Sequence, residues 1–444
     1  MTRVGLTVHR TFHSMRHSRN FRLFFTGQAI SVTGTWMQMV ATAWLVLQLT
    51  GSGVALGVET ALAFGPILFL GAWGGVVADR HDKRRILVVT QTAFALLALT
   101  LFVLVATDVV ELWLVFAVAL GQGIVTSIDM PTRQSFVAEM VEQRDLTNAV
   151  SLNSAVMTGT RIVGPALAGV LIAGVGMEWC FLLNGVSYLG AIGALSLMRR
   201  EELRPQRAPR AARAIRDGLR YVWRTRELRR PLVLMSVLYL FSFNFSVLFP
   251  LFAERSLGGD AGTLGTLFSL MGVGSFVAAL VLAGRANANE RRLAVAASAV
   301  GLITLVVAFA PTAQSAFVAM VALGAAAIVF LITANSTLQL TSPPEMRGRV
   351  MALYGIVFLG STPIGGPVAG WVGEHLGPRA GLAGGGLIAL VTGALGLWLI
   401  SRRDRGASRA SEQIDQPSSR SIRQPASVAP RDTSTTVPSA SASR

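Results

Sequence analysis

The chain has one cysteine, Cys180, and one lysine, Lys83, among 444 residues. A lone thiol closes no internal disulfide, and no cluster of His, Cys or acids offers metal-ligand spacing. Cys180 reads as a small buried apolar residue. The five histidines (His9, His13, His17, His81 and His375) are scattered at segment edges rather than at catalytic spacing. No Gly-x-x-x-x-Gly-Lys-Ser/Thr run exists to cradle a nucleotide. These absences argue against an enzyme, an ATP-driven pump and any bound cofactor or metal. Met1–Asn20 is rich in His and Arg and lacks a short apolar core with a cleavage site, so no cleaved leader is predicted. Charged residues are scarce too, at 14%, with a mean hydropathy of +0.55. That excludes an ordinary soluble domain.

In place of charge the sequence has long apolar runs. A bilayer core is roughly 30 Å thick and takes about 20 apolar residues of helix to cross. In lipid the backbone must satisfy its own hydrogen bonds, so such runs are helices. Twelve are readable: Phe21–Leu49, Val54–Ala78, Arg85–Ala106, Glu111–Met130, Leu146–Val175, Met177–Met198, Pro231–Ala253, Thr263–Ala283, Leu293–Ala310, Ala313–Leu340, Val350–Val372 and Ala380–Ile400. The first, fourth and fifth contain Gln, Thr, Asn and one Arg, and so are expected to face lipid on only part of their surface.

Arginine marks the orientation. The even-numbered loops hold Arg80–Arg85, Arg133–Arg144, Arg199–Arg230, Arg285–Arg292 and Arg347–Arg349, whereas the odd-numbered loops are short and poor in basic residues, apart from Arg255 and Arg379. By the positive-inside rule both termini are cytoplasmic and the chain is a multi-pass protein of the cell (inner) membrane. The net charge of +16 is largely this topology signal. It follows the membrane edge, so no nucleic-acid partner is expected.

Five segments result: a cytoplasmic N-terminus (1–20), a first membrane region (21–198), a cytoplasmic linker (199–230), a second membrane region (231–401) and a tail (402–444). The linker sets Ile215, Leu219 and Val222 on one face among arginines, a basic amphipathic helix packed under the membrane body. The tail is Ser-, Arg- and Pro-rich and predicted disordered. The two membrane regions repeat one another. Gly164-Pro165 in the fifth span and Gly366-Pro367 in the eleventh lie 202 residues apart, each after a basic loop and a helix start. Six spans per region give both the same orientation, so the fold class is an all-α membrane protein. Its twelve transmembrane helices form two six-helix bundles related by a pseudo-two-fold axis along the membrane normal.

Between the second and third spans lies Gly75-Val76-Val77-Ala78-Asp79-Arg80-His81-Asp82-Lys83-Arg84-Arg85. Gly75 lets another helix approach. Asp79 sits at a helix C-terminus, where the macrodipole disfavours it and a partner is needed. With the six-plus-six topology, this loop resembles the signature of the major facilitator superfamily, over Phe21 to about Ile400. Asp82 stands where that pattern has Gly, and Asp tolerates a left-handed turn. The resemblance implies that Asp79 meets Arg133 and the start of the eleventh span near Arg349, as a gating contact. The alternative is that Arg80, Lys83, Arg84 and Arg85 only anchor the topology. Gly159–Gly169, with Gly164-Pro165, resembles the packing-and-kink motif of the antiporter branches. Gln122-Gly123 is present in the fourth span, but Ala119 occupies the position of that branch's Arg. Gly27-Gln28, Trp44-Leu45, Asp129–Gln134 and Asn148–Asn153 are similar to the siderophore (enterobactin) and macrolide exporters.

Ionisable residues inside spans point to chemistry, because lipid makes them costly. Arg161 lies near the middle of the fifth span. It is a cavity charge for an anionic group or for Glu59, or else a structural interhelix bond. Glu59 is the acid well inside a span. Asp129, at the cytoplasmic end of the fourth, reads as a gate or helix-end residue. Trp36, Gln38, Asn153, Phe241 and Asn244 lie near mid-membrane and are candidates to line the cavity. Gly169, Gly366 and Pro367 join Gly164 and Pro165 as packing or kink residues. The function expected is a monomeric secondary transporter that exports amphipathic or hydrophobic small molecules, coupled to inward protons. An uptake symporter of the same fold is the alternative.

Overall fold

The computed structural model describes residues 18–142, 145–203, 214–282 and 288–415. Before the linker stand six helices: α1 (Arg19–Thr50), α2 (Gly53–Arg80), α3 (Lys83–Ala106), α4 (Leu112–Met140), α5 (Leu146–Gly174) and α6 (Glu178–Ser196). The linker contributes α7 (Ala214–Arg224). After it come α8 (Arg226–Phe241), α9 (Phe245–Leu251), α10 (Ala261–Leu282), α11 (Glu290–Ala308), α12 (Ala313–Thr341), α13 (Pro344–Gly360), α14 (Thr362–His375) and α15 (Pro378–Asp415). Eleven segments are long and apolar enough to cross a membrane, and a further apolar stretch, Gly159–Gly174 of α5, is shorter. The chain up to Trp398 is one compact unit; residues from Leu399 form a second, helical to Asp415.

Small residues set the packing. In the first region α1 packs on α5 and α6, α3 on α4 and α6, and α2 on α4. In the second, α12 packs on α10 and α11. Gly301 of α11 has no room for a Cβ, which would fall 2.3 Å from the backbone of Leu390 in α15. Two pairs dominate the contact between the regions: α2 with α14, and α5 with α10. Both rest on glycine. A Cβ at Gly370 would lie 2.1 Å from the Gly53 carbonyl oxygen, and one at Gly265 would lie 2.6 Å from that of Pro165. Such backbone-to-backbone approach drives helix association in lipid, where the hydrophobic effect between helices is absent.

Several expected boundaries move. The fourth span does not end at Met130; α4 runs on to Met140, so Arg133 is helical. Pro131 interrupts the ladder without stopping it. The Ser127 carbonyl, four residues earlier, loses its helical donor to the proline and faces Gly74 of α2, whose Cβ would be 2.0 Å away. The seventh span is broken at Ser242–Asn244 and ends in a π turn, Phe252–Ser256. Here side chains take over backbone carbonyls. Asn244 Nδ2 donates to Leu240 O at 2.8 Å, and the Ser242 hydroxyl donates to Gly385 O at 2.7 Å. The eleventh span breaks at Ser361, where Pro363 removes a donor and restricts the residue before it. Asp82 is extended rather than left-handed: φ is −62° and ψ 110°, and its carboxylate caps α3 by accepting from Arg85 N at 3.2 Å. In α7, Val222 is buried but Leu219 is exposed; the Ile215 side chain lies outside the described residues. The tail is helical beyond Arg402, to Asp415. Cys180 is fully buried.

Candidate transport site

The site is built where α1 crosses α5. Gly164 lies against Trp36, and a Cβ there would fall 2.5 Å from Trp36 Cβ. One turn earlier on α5, Arg161 therefore reaches over the indole, its guanidinium carbon 5.0 Å from the ring centroid. Arg161 is nevertheless exposed. The groups within electrostatic reach of it are the phenols of Tyr239 in α8 and Tyr354 in α13, from the opposite region. No ion pair joins Arg161 to Glu59 among the described residues. Glu59 is half-buried on α2 and accepts from the Thr60 hydroxyl at 3.4 Å. The second and fifth helices do not present the two side chains to one another.

The two sides of this site differ in chemistry. On the α1–α6 side the interior is polar. Asn184 donates to Gln38 Oε1 at 2.6 Å, and the Thr35 and Tyr188 hydroxyls pair at 3.0 Å. Nearer the basic loops, Asp129 Oδ1 accepts from Thr90 at 2.7 Å and Gln91 at 3.0 Å, while its Oδ2 accepts from Arg133 Nε at 2.9 Å and Nη2 at 2.5 Å. Gln28, Ser31, Gln91 and Arg133 line a cavity of about 20 Å³, about the size of one water, beside the unpaired amide nitrogen of buried Gln28. On the α8–α14 side the interior is aromatic. Tyr239 meets Phe243 at 4.9 Å and Phe358 edge-on at 5.0 Å, and Phe243 stacks on Phe330 at 5.8 Å. Tyr354 stacks on Phe358 at 6.1 Å.

Of the residues singled out from sequence, Trp36 and Arg161 are brought together. Gln38 and Asn244 are buried in hydrogen bonds within their own regions, and Phe241 is exposed. The Asn153 side chain lies outside the described residues. Asp79 is exposed, and among the described residues no ion pair joins it to Arg133 or Arg349, because Arg133 is held by Asp129. Lys83 is not a loop charge. It is buried against Glu139 at 2.5 Å, with 7% and 6% of the two side chains exposed. Arg84 donates to the last carbonyls of α6, at Leu195 and Ser196. Arg80 is exposed, and Arg85 makes a loose surface pair with Asp82. Gly75 is free of close contacts; it is Gly74 that touches α4.

Sequence reasoning passed over Tyr239, Tyr354 and Glu374. The first two were legible as Tyr239…Phe243 and Tyr354…Phe358, aromatic pairs at i,i+4 spacing. Glu374 at the end of α14 accepts from the Ser52 hydroxyl at 2.5 Å and from Val54 N at 2.9 Å, across the two regions. Beside it, Arg255 donates to Gly51 O. These contacts tie the ends of α1, α2 and α14 together on the side of the short, weakly basic loops.

Residues 10–426 match the sequence profile of a family described as transmembrane secretion effectors. The multidrug efflux pump Tap of Mycolicibacterium fortuitum is 27% identical over 384 residues, covering 84% of this chain and 93% of that protein. The enterobactin exporter EntS of Salmonella paratyphi A is 23% identical over 401 residues, covering 88% and 95%. Among solved structures, a bacterial homologue of the human lysosomal transporter Spinster, in an inward-facing and unoccupied conformation, superposes with a TM-score of 0.67. It is 14% identical and covers 86% of this chain and 96% of its own.

Proposed function

The chain belongs to the transmembrane secretion effector family of the major facilitator superfamily, and from that premise we propose that it exports amphipathic or hydrophobic small molecules, drug-like or siderophore-like, by proton-coupled alternating access. In this reading α1–α6 and α8–α15 are two six-crossing bundles related by a pseudo-two-fold axis, with both termini in the cytoplasm of a cell that holds the protein in its inner membrane. The two Gly-Pro repeats support that relation. The Pro165 carbonyl packs α5 on Gly265 of α10, and Gly366-Pro367 packs α14 on Gly57 of α2, which is the same contact seen from either bundle. The observation that carries the reading is Arg161, a cation midway along a membrane helix, exposed between two regions whose described contacts gather towards the opposite ends of α2, α5 and α14. We read this arrangement as closed on the side of the short loops, which the topology places outside. The breaks at Ser242–Asn244 and Ser361 supply bending points beside the cavity.

Glu59, the acid well inside the second span, is the residue assigned to proton exchange, in a transporter that acts as a monomer. Asp79 and the basic loop after it act on the cytoplasmic gate in the alternate state, when Asp79 finds the partners it lacks here. The test is whole-cell accumulation of a fluorescent amphiphile, with and without a proton-gradient collapser. Expression should lower accumulation, the collapser should erase the difference, and Glu59→Gln should behave as the collapsed cell does. Higher accumulation on expression would instead establish the uptake symporter.

A further inference from the structure

The guanidinium of Arg161 is mid-membrane, exposed, and engaged only with the Trp36 face; no carboxylate meets it among the described residues. An arginine so placed is costly unless something neutralises it. Its donors remain available in a fork that fits a carboxylate or sulfonate with two parallel hydrogen bonds. A second group points to the same occupant. Tyr239 is 5% exposed, and its hydroxyl has no hydrogen-bond partner. A buried hydroxyl left unpaired is costly, and this one lies within electrostatic reach of Arg161. From Tyr239 onward the wall is aromatic, through Phe358, Phe243 and Phe330. Flat rings favour offset or edge-on contact with another ring.

Resting on the export reading, we propose that the central site selects aryl-anion amphiphiles: molecules whose carboxylate or sulfonate is held by Arg161 and Tyr239, and whose aromatic body lies along Tyr239, Phe358 and Phe243. Cationic amphiphiles are rejected by the same arginine. Binding draws on both regions at once, since Arg161 and Trp36 come from one and Tyr239 from the other. An occupied site therefore couples cargo to the relative position of the two.

The probes are 2-naphthoate, 2-naphthalenemethanol and 2-naphthylmethylammonium, which share a ring system and differ in charge. The full chain is placed in lipid nanodiscs, and binding is read by quenching of Trp36 fluorescence, as the difference from Trp36→Phe, and by thermal stabilisation. Naphthoate should bind at least about tenfold more tightly than the alcohol, and the ammonium more weakly than either. Arg161→Gln should abolish the preference for naphthoate over the alcohol, Arg161→Lys should keep part of it, and Tyr239→Phe should reduce it several-fold while the alcohol binds as before. Alcohol binding by these variants serves as the control for folding. Naphthoate binding no better than the alcohol, or a preference that survives in Arg161→Gln, overturns the proposal. Energised efflux of a cationic dye by the wild-type chain, with Arg161 in place, overturns it too and leaves the export reading standing. Selective naphthoate binding without energised efflux in cells sinks the export reading and leaves the site.

Discussion

Asp129 shows how a residue inside a span acquires its role from neighbours that sequence does not pair. Its two carboxylate oxygens take four donors, from Thr90, Gln91 and twice from Arg133, and the carboxylate is 6% exposed. Only because α4 continues helically through Pro131 does Arg133 fall one turn on, at i+4. The same lesson applies to the two outer arginines that break the loop pattern. Arg255 donates to Gly51 O, and Arg379 donates to Ala308 O and Ala310 O at 2.8 Å each. Cations at helix C-termini satisfy orphan carbonyls there, whichever side of a membrane they occupy. Asp129→Ala removes the acceptor and leaves a largely buried guanidinium unpaired, a change that costs about 3–5 kcal/mol. Thermal unfolding of the purified variant should show that loss, with membrane abundance falling alongside transport. Unchanged stability with abolished transport would make Asp129 part of the proton route.

At the scale of helices, the apolar runs were legible because lipid leaves the backbone no alternative, and helices cover most of each run. The break at Ser242–Asn244 depends on a side chain finding a carbonyl across the fold, Ser242 on Gly385 O, and hydropathy carries no trace of that. The break at Ser361 goes with Pro363, a local signal that hydropathy also passes over. The extension of α4 was hidden because Arg133 and Glu139 look like loop residues until each finds its partner. Likewise Gly164 and Gly366 were readable as packing positions, but Gly370 and Gly53 were not, although they approach most closely where α14 meets α2. Gly370→Leu places a branched side chain where even a Cβ would meet backbone, so α2 and α14 must separate. On a Cys180→Ala background, a cysteine at Thr60, which is 3% exposed against Gly366, should resist an impermeant maleimide added to intact cells. Adding Gly370→Leu should make it react. If reactivity does not change, this glycine contact does not govern the outer closure.

For the molecule as a whole, the topology signal and the Gly-Pro repeat in the sequence already implied two like-oriented regions. The division of chemistry between them was not implied, since the polar network on one side and the ring column on the other emerge only when the helices are packed. On the alternating-access proposal these regions rock about a shared cavity, closed here near Ser52 and Glu374. Spin labels report this directly, one pair at His81 and Arg347 on the basic-loop side and another at Asp108 and Thr312 on the opposite side, all exposed positions. Pulsed dipolar distances are measured in nanodiscs on the Cys180→Ala protein, between pH 8 and pH 5.5 and with 2-naphthoate added. Alternating access predicts that the first pair shortens as the second lengthens, with both populations present in at least one condition. Two distances that stay fixed under every condition, or that change with the same sign, would contradict it.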